Sequence, residues 1–138
     1  MSLPSLIDEV LDEFHAAAAA AHEQRYFGTL SDSMVFLGTA PGERWEEAAW
    51  RDFVHSYFSK GKGWTYVPSE RSVVISQDGQ VAWFDETVTN DQLGACRGTG
   101  VLRHERGAWR IAQYNLMIPV PDELALELVA KVRKMRPA

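Results

Sequence analysis

Asp85 and Glu86 stand side by side in the stretch Val81-Ala-Trp-Phe-Asp-Glu-Thr-Val88, whose β-forming residues predict a strand. Strand geometry sends successive side chains to opposite faces, so only one of the two carboxylates can enter a pocket. The odd positions Val81, Trp83, Asp85 and Thr87 share a face. Further along, Arg97, Thr99, Gln113 and Asn115 converge on one face if Glu105-Arg-Gly107 is a three-residue turn with Gly107 in the left-handed region. His104 then opposes Ala108, Arg97 opposes Asn115, Thr99 opposes Gln113 and Val101 opposes Ile111. A two-residue turn shifts this register by one and breaks the grouping. Asp85 and Arg97 on neighbouring strands have two readings. Asp85 can serve as a general acid or base while Arg97 binds a carboxylate or enolate oxygen through its planar fork, or the two can form an ion pair with each other.

The remaining reactive residues are scattered. His22 lies at the edge of the first apolar stripe and His15 further round it; a base reaching inward from His22 competes with half-buried packing. His55 and His104 have no companion at ligand spacing, and no His-Glu-x-x-His, paired-cysteine or calcium-loop pattern occurs, so no metal site and no cofactor is expected. The lone Cys96 reads as a buried, inert thiol. Gly38-Thr-Ala-Pro-Gly42 lacks the Gly-Lys-Ser/Thr ending that cradles phosphate.

The elements that must position these groups follow from periodicity. Ile7, Val10, Leu11, Phe14, Ala17, Ala18 and Ala21 recur at three- and four-residue spacing, which predicts one amphipathic helix of about twenty residues, capped by Ser5 and with its stripe continuing through Arg25. A short strand over Ser33–Leu37 and a Gly/Pro loop precede a second helix beginning near Trp45. Ala49, Trp50, Phe53, Val54, Tyr57 and Phe58 fall on one face of it, and Gly61 and Gly63 end it. The middle of the chain is β in character: Trp64–Val67, Arg71–Ser76, a turn around Asp78-Gly79, Val81–Val88, Arg97–His104 and Trp109–Ile118. Pro119 and Pro121 stop the last strand. Leu124, Ala125, Leu128, Val129 and Val132 then stripe a C-terminal helix over about 122–136. Helices followed by a run of antiparallel strands predict an α+β fold, in a single domain over 1–138.

Composition closes off several functions. With 14 Lys+Arg against 19 Asp+Glu the net charge is −5, which argues against a general polyanion binder, so no nucleic-acid partner is expected. The basic cluster Lys131–Arg136 reads as a solvated helix end. Asp8, Glu9, Asp12 and Glu13 interrupt the first apolar segment, leaving no export signal. The Ala16–Ala21 run falls far short of the roughly twenty residues that cross a bilayer, so no membrane association is expected. One cysteine suits a reducing cytoplasm.

Val81-Ala-Trp-Phe-Asp-Glu86, Cys96-Arg-Gly-Thr-Gly-Val-Leu102, Gly107-Ala-Trp-Arg-Ile-Ala-Gln-Tyr-Asn115 and Pro119-Val-Pro121 together resemble the SnoaL-like branch of the nuclear transport factor 2-like superfamily. Tyr26-Phe27, Val35-Phe-Leu-Gly-Thr39, Glu43-Arg-Trp45 and Lys60-Gly-Lys-Gly-Trp-Thr65 stand in the order that branch shows. The resemblance implies a strongly curved antiparallel sheet wrapped around helices as a cone with one open end, usually dimeric through the outer sheet face. It also implies that the odd-numbered face lines the pocket, with Asp85 and Arg97 as catalytic candidates and Thr99, Gln113 and Asn115 as ligand contacts. Trp64 and Trp83 become pocket walls or plain core residues, and Tyr26 a hydrogen-bond donor at the mouth or a core residue with its hydroxyl at the rim. The function expected on that basis is binding of a small hydrophobic or carbonyl-bearing molecule by a cytoplasmic homodimer. Cofactor-independent proton transfer of isomerase, cyclase or dehydratase type is its enzymatic form. The alternative is a non-catalytic association module that uses the outer sheet face and the Leu124–Val132 stripe.

Overall fold

The structure is a computed structural model that describes residues 2–136. Chain order runs α1 (Leu3–Ala19), α2 (Glu23–Gly28), β1 (Leu30–Leu37), β2 (Arg44–Glu46), α3 (Glu47–Phe58), β3 (Val67–Ile75), β4 (Val81–Asn90), β5 (Gly94–Glu105), β6 (Ala108–Met117) and α4 (Asp122–Met135). All six strands form one curved, unclosed sheet in the order β2-β1-β6-β5-β4-β3, antiparallel except where β1 runs parallel to β6. This is the α+β architecture expected from the sequence.

The first helix is shorter than its apolar stripe. Ser2, rather than Ser5, is the N-cap, its hydroxyl accepting from Ser5 N at 3.3 Å. The helix stops at Ala19 because Ala21 enters the left-handed region (φ 53°), and His22 starts α2 by accepting from Arg25 N at 3.2 Å through Nδ1. From α1, Ile7, Leu11, Phe14, Ala17 and Ala18 enter the core, where each large apolar side chain contributes about 1.5–3 kcal/mol. From α3 come Trp50, Val54 and Phe58, a strict four-residue spacing.

Two irregularities set which side chains face inward. The β5–β6 connection is a two-residue turn, Arg106-Gly107, with both residues left-handed (φ 51° and 79°), as a tight hairpin requires. Glu105 therefore pairs with Ala108 and His104 with Trp109, not His104 with Ala108. Ala112 is an extra residue between the pairs Leu102–Ile111 and Val101–Gln113, so the inward phase of β6 changes from Trp109 and Ile111 to Tyr114. On β3 a second bulge falls between the pairs Ser69–Thr87 and Ser72–Asp85, with Glu70 at φ 48°. It turns Arg71 inward.

The face expectation is reversed. Ala82, Phe84, Glu86 and Val88 are buried under the helices, with Cys96, Gly98, Gly100 and Leu102 beside them on β5. Trp83 and Asp85 lie on the outer face, Trp83 47% exposed. The C-terminal helix matches its expected span but buries no residue.

Candidate functional site

The outer face does bring several expected residues together. Asp85 pairs with Thr99, and Thr99 with Asn115, whose Nδ2 donates to Thr99 Oγ1 at 3.1 Å. Trp83, Val101 and Gln113 form the next row, while Arg97 lies between Thr87 and Met117. Asp85 and Arg97 form no ion pair among the described residues, since the register sets Asp85 opposite Thr99. The row holds exposed Asp85 and Trp83 with half-buried Thr99, Val101, Gln113 and Asn115. It is a polar stripe on an open surface and not the lining of a cavity.

Inside the sheet, Glu86 takes the place the alternation offered to either acid. Its Oε2 lies 2.6 Å from His15 Nε2 and accepts from Tyr114 OH at 2.8 Å, and its Oε1 accepts from Arg71 Nε at 2.7 Å. Arg71 Nη1 reaches Asp8 Oδ1 at 3.2 Å and Asp12 Oδ1 at 3.0 Å. Burial pushes the Glu86 carboxyl up, but the His15 hydrogen bond and the charges of His15 and Arg71 outweigh it and hold the group below the ordinary carboxylate range. Burial and the Glu86 charge push the Tyr114 hydroxyl far up, so it stays a donor. This network saturates its carboxylate. It fixes α1 against β3, β4 and β6.

Beyond this network, Phe36 stacks on Tyr114 at 5.9 Å and on Trp50 at 4.0 Å. From there a cavity of about 290 Å³ opens, lined by Phe36, Trp45, Trp50, Phe53, Trp64 and Tyr66 with Gly38, Thr39, Glu43 and Leu116. The segment Trp64–Tyr66 enters it because Trp64 N donates to Ala18 O at 3.2 Å, tying the loop after α3 to the end of α1. Trp45 comes from β2 and packs on Phe53 at 4.9 Å; Trp50 donates its Nε1–H to Tyr26 OH at 3.2 Å. Tyr26 itself is fully buried, and burial pushes its hydroxyl far up; it is a core support behind Trp50 rather than a donor at the mouth. Trp64 lines the cavity, and Trp83 does not.

Glu43 is the only charged residue of that lining. Its backbone is pinned by Gly38 N donating to Glu43 O at 2.8 Å, and its side chain lies over Gly38 where a Cβ would stand. Among the described residues its carboxylate joins no salt bridge. Burial, followed by the charges of Cys96 and Glu43, pushes the Tyr66 hydroxyl up, keeping it protonated beside the carboxylate. The pair offers one acceptor and one donor at an aromatic wall. Burial raises the Cys96 thiol as well, which leaves it a poor nucleophile.

Glu43 and Tyr66 were not legible as site residues, because neither belongs to a spaced motif. For Glu86 a signal existed: Cys96, Gly98 and Gly100 are small at alternate positions, which marks the face against which large side chains pack. His15 is the buried histidine of α1, whereas His22 is exposed. A wider groove of about 740 Å³ runs between α1, α2 and the tips of the β3–β4 and β5–β6 hairpins, but its Glu13 and Arg25 are closed on each other at 2.6 and 3.1 Å. No group of metal-ligating side chains occurs among the described residues.

A half-wrapped sheet packed over N-terminal helices, with an aromatic cavity between them, defines the cone-shaped nuclear transport factor 2-like class. Within it, residues 7–121 match the model of the SnoaL-like domain, and the chain belongs to that family. Among solved structures it is similar to a nuclear transport factor 2-like protein of unknown function from Pseudomonas putida KT2440 (14% identity, 89% of this chain and 92% of that one, TM-score 0.70). It is likewise similar to one from Cytophaga hutchinsonii (16%, 86% and 100%, TM-score 0.70). A third, from Streptomyces avermitilis, carries a provisional dehydratase assignment (11%, 86% and 97%, TM-score 0.69). At these identities the likeness carries the fold alone. A comparison with curated proteins finds no match.

Proposed function

We propose that the chain binds a small hydrophobic molecule in the aromatic cavity, its apolar body against Trp45, Phe53 and Trp64 and a polar group turned to Glu43 and Tyr66. The observation that supports this is the lining itself: six aromatic rings around about 290 Å³, with one unpaired carboxylate at the wall. Small-molecule sites have this makeup, an apolar enclosure with a few placed polar groups. Asp85 and Arg97 take no part, lying on the other side of the sheet. Titration with indole-sized aromatic fragments, followed through the tryptophan indole N–H signals, tests the reading. Trp45 and Trp64 should move while Trp83 stays still; movement of Trp83 without the other two would overturn it.

A second reading concerns assembly. Val67, Val74, Trp83 and Met117 are exposed on or beside the outer face, and Leu124, Leu128 and Val129 on α4, which favours pairing of two copies through these surfaces. Native mass spectrometry of the intact chain should give a dimer; a strict monomer at tens of micromolar would overturn this second reading without touching the first.

A further inference from the structure

We infer that the ligand of the aromatic cavity carries a positive charge: a protonated or quaternary amine, with Glu43 as its counter-charge and the rings of Trp45, Trp64 and Tyr66 around its head. The inference rests on the cavity being a small-molecule site and adds the charge of what enters it.

Three observations carry it. No Lys, Arg or His lines the cavity, so every formal charge facing the ligand is negative. The nearby arginines are engaged elsewhere: Arg44 reaches Glu46 at 3.6 Å, and Arg51 bonds Glu47 and lies 4.7 Å over the Phe27 ring. Finally, Gly38 leaves room for the Glu43 side chain to fold over it against the aromatic wall.

The physics then separates the ligand classes. An anionic ligand would meet the carboxylate and the negative faces of the rings at once. A neutral apolar ligand would strip water from Glu43 and give nothing back, and an ionised carboxylate is expensive to desolvate without a partner. A cation satisfies both requirements, because the ring quadrupoles and the carboxylate attract it together. A quaternary ammonium head also keeps its charge at every working pH and presents an apolar surface to the indoles, so it suits an aromatic cage.

Choline and its neutral isostere 3,3-dimethylbutan-1-ol, which share shape and differ in charge, make the test. Each is titrated into the intact protein, and the shifts of the Trp45 and Trp64 indole N–H signals give its affinity. Choline should bind at least about tenfold more tightly. Glu43→Gln should shrink that preference to the part the rings alone supply, weakening choline and not the alcohol, whose desolvation cost at Glu43 is relieved. Gly38→Ala is the second variant, since its methyl group takes the space of the Glu43 side chain and displaces the carboxylate; it should shrink the preference in the same way. Equal affinities in the unaltered protein would overturn the charge and leave the aromatic cavity as the binding site. Failure of both compounds to move the indoles would overturn the inference as well, with the fragment titration then deciding the cavity by itself.

Discussion

Glu86 is the residue on which the interior turns, since four elements meet at its two oxygens. Its ionised form is favoured in the folded chain, so its folded pKa lies below the ordinary glutamate value of 4.5. The sign follows: as pH falls, the unfolded chain takes up the proton first. Stability from Glu86 is complete above about pH 5 and is lost as pH drops through the folded value. Glu86→Gln should lower the unfolding free energy at pH 7 by about 3 kcal/mol, Arg71 retaining Asp8 and Asp12, and should flatten the acid limb of stability. Urea melts between pH 3 and pH 7 measure both; an unchanged acid limb would assign the limb to other carboxylates. Two adjacent acids, one exposed and one buried, could not be told apart from their own strand, because Trp83 and Phe84 make both faces look apolar. The partners that decide, His15 and Arg71, lie 71 and 15 residues away in sequence.

At the scale of elements, helices were easier to read than strand phase. The spacing of Trp50, Val54 and Phe58 needs no knowledge of a partner, so α3 was legible within a few residues of its start. Strand phase depends on turns and bulges, and each one-residue slip exchanges the two faces. The Arg106-Gly107 turn and the extra Ala112 each add such a slip, and together they move Thr99 from its expected partner Gln113 to Asn115, and Arg97 from Asn115 to Met117, while putting Tyr114 inside. Helix α2 was hidden because the alanine run carries no stop signal before Ala21. Two outcomes follow for the hairpins. Gly107→Ala forces a Cβ into the left-handed region and should destabilise by about 1–2 kcal/mol, visible as a fall of several degrees in Tm. Arg71→Gln removes the guanidinium that the β3 bulge delivers to Glu86, so thermal stability should fall and the acid limb weaken, as in Glu86→Gln; an acid profile that keeps its limb would detach Arg71 from that role.

For the whole molecule, family and fold were legible from the sequence, because a long ordered pattern of residues survives local uncertainty about register. The site was legible only through Trp64, since the cavity is assembled from four segments that no spacing links. The C-terminal helix contributes no buried side chain to the described core. A chain ended after Pro121 should therefore keep its Tm within about 2 °C as a monomer, and loss of a dimer on that truncation would place α4 at the contact between copies. Trp83→Glu, on the sheet surface itself, should separate copies by setting a charge in the apolar contact while leaving the indole responses of the cavity intact.

Four of the five tryptophans give the protein two optical channels, over a constant background from Trp109, which is buried beside His104. Trp45, Trp50 and Trp64 are coupled rings within one aromatic cluster, Trp50 with its centroid 5.9 Å from Trp45 and 6.0 Å from Trp64, whereas Trp83 stands 47% exposed on the opposite side of the sheet. The clustered indoles should emit at shorter wavelength and resist acrylamide; Trp83 should emit to the red and be quenched readily. Occupancy of the cavity and burial of the outer face can thus be followed separately, in one cuvette and without any label.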